Sequence, residues 1–383
     1  MVDRVYLDWN ATTPLRPETR QAMVAAWDLL GNPSSVHAEG RQARRLVEGA
    51  RAAVAAAVGA QARSVVFTSS GTEANALALT PGLRRGGARV QRLLVSAIEH
   101  ASVLAGGRFQ PDAIRKLRVN SAGQVDLDHL RSLVAGDAPA LVSIMAANNE
   151  TGALQPVREA AEIVHQAGGL LHIDAIQALG RIPCDINETG ADIATLSAHK
   201  IGGPKGVGAL VLADGIEGVD PILRGGGQEF GRRAGTENVA GIAGFGAAVE
   251  AAVARRDVEA VRLETLRNRL ETGLRETPKL IIFSNEAPRL PNTTLFTVPG
   301  LRAETAVIGF DLAGIAVSSG SACSSGKVQP SHVLEAMGFS KSLAQGAVRL
   351  SLGWSTTEAE IDCCLKAWRK LADTLLRKER NTA

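Results

Sequence analysis

Gly169-Leu170-Leu171-His172-Ile173-Asp174 is a short apolar run that stops on a carboxylate, and Asp192-Ile193-Ala194-Thr195-Leu196-Ser197 repeats the plan just before Ala198-His199-Lys200. Runs of this length, rich in aliphatic residues and closed by polar or glycine-bearing sequence, read as buried strands. The same plan extends to both sides. Residues 141–146 precede Asn148-Asn149-Glu150, 92–97 precede Glu99-His100, 64–68 precede Ser69-Ser70-Gly71-Thr72, and 208–212 close the series. Alanine-rich segments of helical length alternate with these runs through the first 250 or so residues, the signature of a mainly parallel α/β sheet. Open sheets of that kind bind ligands beyond the carboxyl ends of their strands. One polar cluster at a strand end makes a turn; five of them predict a site.

The charge balance narrows what such a fold can serve. The chain has 383 residues, with 42 Lys and Arg against 39 Asp and Glu, for a formal net charge of +3. That is no electrostatic footprint for nucleic acid or a membrane surface. With 8 Phe, 4 Trp and 1 Tyr, aromatic residues are too few for a base-stacking platform. A hydrophobic fraction of 45% supports a sizeable core and excludes a disordered chain. Asp3, Arg4 and Asp8 interrupt the N-terminus, unlike the apolar core of a secretory signal. The longest apolar stretches, such as 240–249, stop far short of the ~20 residues that a membrane span needs. The cysteines Cys184, Cys323, Cys363 and Cys364 are scattered, with no Cys-x-x-Cys pair, which disfavours both a disulfide framework and a structural zinc. These features point to a small-molecule enzyme in a reducing cytoplasm.

At roughly 150 residues per domain the length predicts two domains. Residues 14–252 form the large α/β domain. From residue 253 the character changes to a charged helix over 255–277, then shorter strands and helices, which read as a smaller α+β domain over 253–383. Residues 1–13 join it, with 4–8 extended. The last helix, 358–380, places Ile361, Leu365, Trp368, Leu371 and Leu375 on one face. Lys366, Arg369, Lys370, Arg377 and Lys378 fall mostly off it, as a solvated face.

Chemistry concentrates at the strand ends. Lys200 ends a strand and leads into Gly202-Gly203-Pro204-Lys205-Gly206, where an amine can project into a cleft for Schiff-base work. A nucleoside-triphosphate loop is disfavoured, since no Gly-x-x-x-x-Gly-Lys-Ser/Thr spacing occurs. Asp174, after an apolar run, needs a cationic partner such as a protonated pyridine nitrogen; a helix cap is its plainer role. Ser69-Ser70-Gly71-Thr72 opens a helical stretch, and backbone amides there suit a phosphate dianion or ordinary capping. His100 beside Glu99 could stack on an aromatic ring. Cys323 lies in 318–326, a run of almost entirely small and polar residues suited to a mobile loop, while Cys184, Cys363 and Cys364 read as buried and inert.

Together these residues resemble a pyridoxal-phosphate site, and the resemblance becomes specific in Ser-Ala-His-Lys-Ile-Gly-Gly-Pro-Lys-Gly (197–206) and His-Ile-Asp-Ala-Ile-Gln (172–177). Leu-Asp-Trp-Asn-Ala-Thr-Thr-Pro (7–14), Gly-Asn-Pro-Ser-Ser-Val-His (31–37), Ala-Asn-Asn-Glu-Thr-Gly (147–152) and Arg-Gly-Gly-Gly-Gln-Glu (224–229) extend it. So do Arg-Arg-Ala-Gly-Thr-Glu-Asn (232–238), Ser-Ser-Gly-Ser-Ala-Cys-Ser-Ser-Gly (318–326) and Val-Arg-Leu-Ser-Leu-Gly (348–353). In this order they resemble the cysteine desulfurases of the nitrogen-fixation and iron–sulfur-assembly type, within the class-V aminotransferase family.

That resemblance implies a fold-type-I pyridoxal-phosphate transferase: an α/β fold whose large domain has a mainly parallel sheet of the seven-stranded type, plus the smaller α+β domain carrying the catalytic cysteine loop. It implies that Lys200 forms the Schiff base with pyridoxal 5'-phosphate, Asp174 pairs with the pyridine nitrogen, and His100 stacks on the ring as a catalytic residue. Gln177 and Asn149 would contact the phenolic oxygen or its surroundings. Gly71, Thr72, Ser197 and His199 would hold the phosphate, joined by Thr236 from the second subunit of a homodimer. Arg349 and Asn149 would take the substrate carboxylate. Cys323 would attack the sulfur of L-cysteine, leaving a persulfide and L-alanine, and could touch an iron–sulfur cluster transiently through that sulfur. The persulfide would pass to a sulfur acceptor or iron–sulfur scaffold protein, without direct nucleic-acid or membrane contact. Two alternatives remain at this level: a selenocysteine lyase or other class-V relative, and a non-catalytic scaffold for iron–sulfur partners.

Overall fold

Every residue of Ala140–Met145, Leu170–Asp174, Ile193–Ser197 and Gly208–Leu212 is buried, as strands must be when helices cover both faces of a sheet. The computed structural model describes residues 4–136, 138–320 and 330–380. Its central sheet has seven strands, numbered here along the chain: β1 Val65–Thr68, β2 Arg92–Ser96, β3 Ile114–Leu117, β4 Ala140–Met145, β5 Leu170–Asp174, β6 Ile193–Ser197 and β7 Gly208–Leu212. Their spatial order is β1-β7-β6-β5-β4-β2-β3. All neighbours are parallel except β7, which runs against both β1 and β6. The carboxyl ends of β1, β2, β4, β5 and β6 therefore open on one side.

Six of these strands fall within a residue of their expected bounds. The seventh, β3, is an edge strand that pairs only with β2, and Arg115 and Lys116 stand exposed in it. Its short charged sequence carries no run of apolar residues to reveal it.

The charged helix expected over 255–277 is the second half of a single 36-residue helix, Val239–Leu274. Its composition changes because its surroundings change. Phe245, Ala248, Val249 and Ala252 pack in the core beneath the large sheet, whereas Leu263, Leu266, Leu270 and Leu274 pack in a separate apolar core. No proline interrupts the join, so the backbone ladder continues across it. Gly246 lets the helix Ala38–Ala57 approach: a Cβ there would lie 2.7 Å from the Ala50 Cα.

The second core lies against a four-stranded sheet of β8 Ile281–Ile282, β9 Thr293–Thr297, β10 Ser318–Ser319 and β11 Val348–Ser351, in the order β8-β9-β11-β10. Val5–Tyr6 pairs in parallel with Ile315–Ala316, and Asp8 bridges Ser351, so the N-terminal segment lies beside the last strands. From there it crosses to the large sheet, where the Thr13 and Arg16 amides donate to the His199 and Gly202 carbonyls at 2.9 Å each. The last helix, Glu358–Arg380, buries Ile361, Leu365 and Trp368 and half-buries Leu371 and Leu375, on the face its spacing predicts. No helix among the described residues is long and apolar enough to cross a membrane.

Candidate active site

The strand ends converge on a cavity of about 260 Å³. Gly71, Thr72, His100, Asn149, Asp174, Gln177, Ser197, His199, Lys200 and Arg349 all line it. Asp174 is the last residue of β5. Lys200 closes a single turn, Ala198–Lys200, that follows β6 directly. Gly71 begins the helix Gly71–Ala78, entered from β1 after two serines.

Lys200 Nζ donates to the carbonyls of Asn10 and Ala11 at 2.7 and 2.8 Å. Asn10 is itself fixed: its Nδ2 donates to Thr293 Oγ1 at 2.9 Å, and its Oδ1 accepts from Asn292 Nδ2 at 3.1 Å. Asp174 is buried, accepting from Asn75 Nδ2 at 2.9 Å and from the Ile176 amide at 3.0 Å. Burial outweighs those bonds and pushes its carboxyl above the ordinary Asp range. A cationic N–H facing it would reverse that shift. Glu99 lies fully buried nearby: its Oε1 accepts from the Met145 amide at 2.6 Å, and its Oε2 has no partner among the described residues. Burial first, and Asp174 second, raise its carboxyl well above the ordinary range.

Ser70 caps the Gly71–Ala78 helix by accepting from the Glu73 amide at 3.1 Å, and Glu73 reaches back to accept from the Ser69 amide at 2.7 Å. The Gly71 and Thr72 amides then stand at the helix start, where no intrahelical acceptor exists. The Ser197 hydroxyl and His199 lie on the same cavity. Burial holds His199 down at about 4, with Lys200 adding to the effect, so its imidazole is neutral near pH 7. His100 Nδ1 accepts from the Ser102 amide at 3.1 Å, which orients the ring on the cavity wall.

Arg349 comes from β11 and is 1% exposed. It donates to the Asn149 carbonyl at 3.0 Å and to Asp8 Oδ1 at 2.8 Å, while its Nε has no hydrogen-bond partner among the described residues. Arg181, behind it, donates to the Gln177 carbonyl at 2.9 Å and to the Lys200 carbonyl at 3.2 Å. Burial, then Arg349, lowers Arg181 to about 10. The Arg349 guanidinium and the Lys200 amine on this cavity favour an anionic substrate, while Arg181 lines a separate hollow beside Lys200.

The donor set fits pyridoxal 5'-phosphate. A buried carboxylate in want of a cation, amides at a helix start with hydroxyls beside them, and an amine all line the one cavity. A guanidinium with an unpartnered Nε adds a place for a carboxylate. Asn10, Ala11, Ser102 and Met145 also line the cavity, and sequence reasoning assigned them no role. Leu7–Pro14 drew notice as a motif, but only the crossing of the N-terminal segment shows why Asn10 belongs there.

Two expected residues are not among this lining, and of the cysteines expected to be buried, Cys184 and Cys364 are, whereas Cys363 is exposed. Thr236 lies exposed on a separate hollow of about 140 Å³ with Ser69 and Arg233. Cys323 lies outside the described residues, with 321–329; the strand Ser318–Ser319 that leads to it pairs with β11 beside Arg349.

Comparison with known proteins gives a consistent likeness. The family model described as aminotransferase class-V matches residues 5–363. A cysteine desulfurase of Cereibacter sphaeroides is 45% identical over 98% of this chain and 97% of its own. The cysteine desulfurase NifS of Azotobacter vinelandii is 41% identical over 94% of this chain and 90% of its own. The solved structure of a NifS-like protein from Rickettsia africae superposes with a TM-score of 0.88 at 39% identity, covering 97% of this chain and 99% of that one.

Proposed function

The chain belongs to the class-V aminotransferase family and is a cysteine desulfurase with the fold of fold-type-I pyridoxal-phosphate enzymes, and from that premise we propose how its own residues carry the reaction. Lys200 holds the cofactor through Nζ, released from the Asn10 and Ala11 carbonyls. Asp174 pairs with the ring nitrogen, and His100 lies against the ring. Gln177 and Asn149 serve the ring oxygen or its surroundings. Gly71, Thr72, Ser197 and His199 hold the phosphate. When bound, the cofactor supplies the electron sink that loosens bonds at Cα and Cβ of the substrate.

L-cysteine is the substrate of the family, and Arg349 with Asn149 orients its carboxylate. The Cys323 thiolate attacks the substrate sulfur: an S–S bond forms, the Cβ–S bond breaks with its electron pair left on carbon, and protonation there completes L-alanine. The persulfide on Cys323 then passes to an acceptor protein, with transient contact to an iron–sulfur cluster where the acceptor is a scaffold. The protein works as a cytoplasmic homodimer, in which Thr236 reaches the partner's phosphate site. Exposed Trp27, Leu30 and Val36 at 67, 84 and 85% support such a contact surface. The domains divide at residues 252–253, inside the long helix, with residues 1–13 grouped with the second.

The observation that carries this reading is the meeting of the Lys200 amine, the Asp174 carboxylate, the Gly71–Ala78 helix start and Arg349 on one cavity. Borohydride reduction of the yellow protein, followed by peptide mapping, tests it. The cofactor is expected on the peptide containing Lys200, and label on Lys205 instead would refute the assignment. Cys323→Ala is expected to stay yellow and release almost no sulfide from cysteine.

A further inference from the structure

Gly320 and Ser331 stand on either side of the segment that contains Cys323, and one buried carboxylate bonds the second and lies beside the first. Glu150, 3% exposed, follows Asn149 at the end of β4. Its Oε2 accepts a short hydrogen bond from Ser331 Oγ. The same Oε2 lies 3.5 Å from where a Cβ on Gly320 would stand, and Ser331 Cβ is as near. Ser331 caps the helix His332–Ala336 by accepting from the Leu334 amide at 3.1 Å, so its hydroxyl proton is directed to Glu150. On the other side, the Gly320 amide donates to the Ala347 carbonyl at 2.9 Å, next to β11. Glu150 is not loosely placed either: its amide donates to Asn148 Oδ1 at 2.9 Å, and Asn148 Nδ2 donates to the Ile98 carbonyl at 3.1 Å.

We propose that Glu150 is a positioning residue for sulfur transfer, clasping Ser331 beside Gly320 and thereby holding the Ser331 side of the Cys323 segment against the wall that holds Asn149 and Arg349. The inference rests on Cys323 as the sulfur-accepting nucleophile. A carboxylate is suited to the task because a hydroxyl donating to an ionised oxygen makes a stronger bond than one donating to a neutral carbonyl. Burial pushes Glu150 up to about 7, opposed by the Ser331 hydrogen bond and by Arg349 and His100, the two charged or titratable groups that face it among the described residues. The clasp is therefore strongest above neutrality and weakens as pH falls.

The test uses the full-length, cofactor-loaded enzyme and reads sulfide release, the visible absorbance and the rate at which iodoacetamide alkylates Cys323. Glu150→Ala and Ser331→Ala are each expected to lower kcat about tenfold, the loss of one charge-assisted hydrogen bond, with KM for cysteine and absorbance little changed. The double variant is expected to lose no more than either single one, because the two act through one contact. Cys323 alkylation changes in rate in both. Glu150→Gln keeps an acceptor oxygen without titrating, so it retains most activity and flattens the pH–rate profile between about 6 and 8. Wild-type kcat and alkylation in Ser331→Ala, or multiplied losses in the double variant, would overturn the proposal. Should Glu150→Ala fail to fold, Ser331→Ala and Glu150→Gln still decide it. Full sulfide release by Cys323→Ala would instead defeat the nucleophile assignment, whatever the Glu150 variants do.

Discussion

Asp174 and His172 sit two residues apart on β5, and burial drives them in opposite directions. Both are disfavoured in their charged forms, so the acid is raised and the base is lowered, His172 to about 3. For Asp174 the consequence is catalytic. Replacing it with Ala removes a charge-assisted contact in a dry site, worth roughly 1.5–3 kcal/mol or about ten- to a hundredfold in kcat. The proposed phosphate contacts at Gly71, Thr72 and Ser197 would still retain the cofactor. A near-normal turnover with an unchanged spectrum would reduce Asp174 to a structural hydrogen-bond acceptor. For His172 the consequence is stability. Its ring is held neutral between Ser143 Oγ at 2.7 Å and Thr195 Oγ1 at 3.1 Å. A base depressed in the folded state contributes stability above its unfolded value of 6.5, and that stability is lost as pH falls toward about 3. The slope over that window is up to about 1.4 kcal/mol per pH unit, because only the unfolded chain takes the proton. Glu150, raised from 4.5 to about 7, acts with the opposite sign between those values. Urea unfolding of His172→Gln from pH 8 to pH 4 isolates the histidine: the variant is expected to lose less stability on acidification than the parent. Parallel decline of the two would mean that His172 does not titrate as its burial requires.

Close approach of helices explains both what the glycines do and where sequence reading stopped. Gly246 faces the backbone of Ala50, and Gly244 faces Met23, where a Cβ would lie 2.6 Å from Cγ. An alanine at 246 gains about 1 kcal/mol of helix propensity but forces two backbones apart, an overpacking cost of about 1–3 kcal/mol. Gly246→Ala is therefore expected to lower the unfolding midpoint. Gly49, inside Ala38–Ala57, has nothing within 4 Å of its would-be Cβ, so Gly49→Ala should raise it by the propensity alone. Equal shifts in the two variants would contradict the packing argument. No spacing rule separates these two glycines in the sequence, since each sits in an alanine-rich helix. The central strands were legible because burial on both faces leaves unbroken apolar runs such as Ala209–Leu212. The strand Ile114–Leu117 was not, because an edge needs no such run. The composition change near residue 253 was legible as well, but it marks a helix passing from one core to another rather than a break. At the site, Lys200 and Asp174 announce themselves by charge at strand ends, whereas Arg349, inside β11, comes only from the family resemblance. Asn10 works through its carbonyl and its neighbours across the chain, which local sequence does not encode.

Thr236 makes the assembly itself testable. Thr236 lies exposed on a hollow distinct from the cavity that Lys200 lines. The proposed homodimer gives it a role by bringing it to the partner's phosphate. In a symmetric pair with an isologous interface the exchange is reciprocal, so each site joins Lys200 of one protomer to Thr236 of the other. Two inactive variants then separate the arrangements. Lys200→Ala lacks the amine, and Thr236→Asp sets a negative charge against the phosphate dianion, so each homodimer is expected to release little sulfide. Refolded together, the variants form mixed pairs with two unlike sites. One combines both lesions. The other combines the intact Lys200 of one chain with the intact Thr236 of its partner. Random pairing makes about half the dimers mixed, with one sound site in two, so activity should recover to about a quarter of the parent. If Thr236 served its own chain, each mixed pair would carry one lesion in each site, and no activity would return. If it had no part in either site, Thr236→Asp would be active before mixing. The outcome depends on which chain supplies the residue and not on how well either variant folds, because recovery requires a new site that neither parent preparation contains.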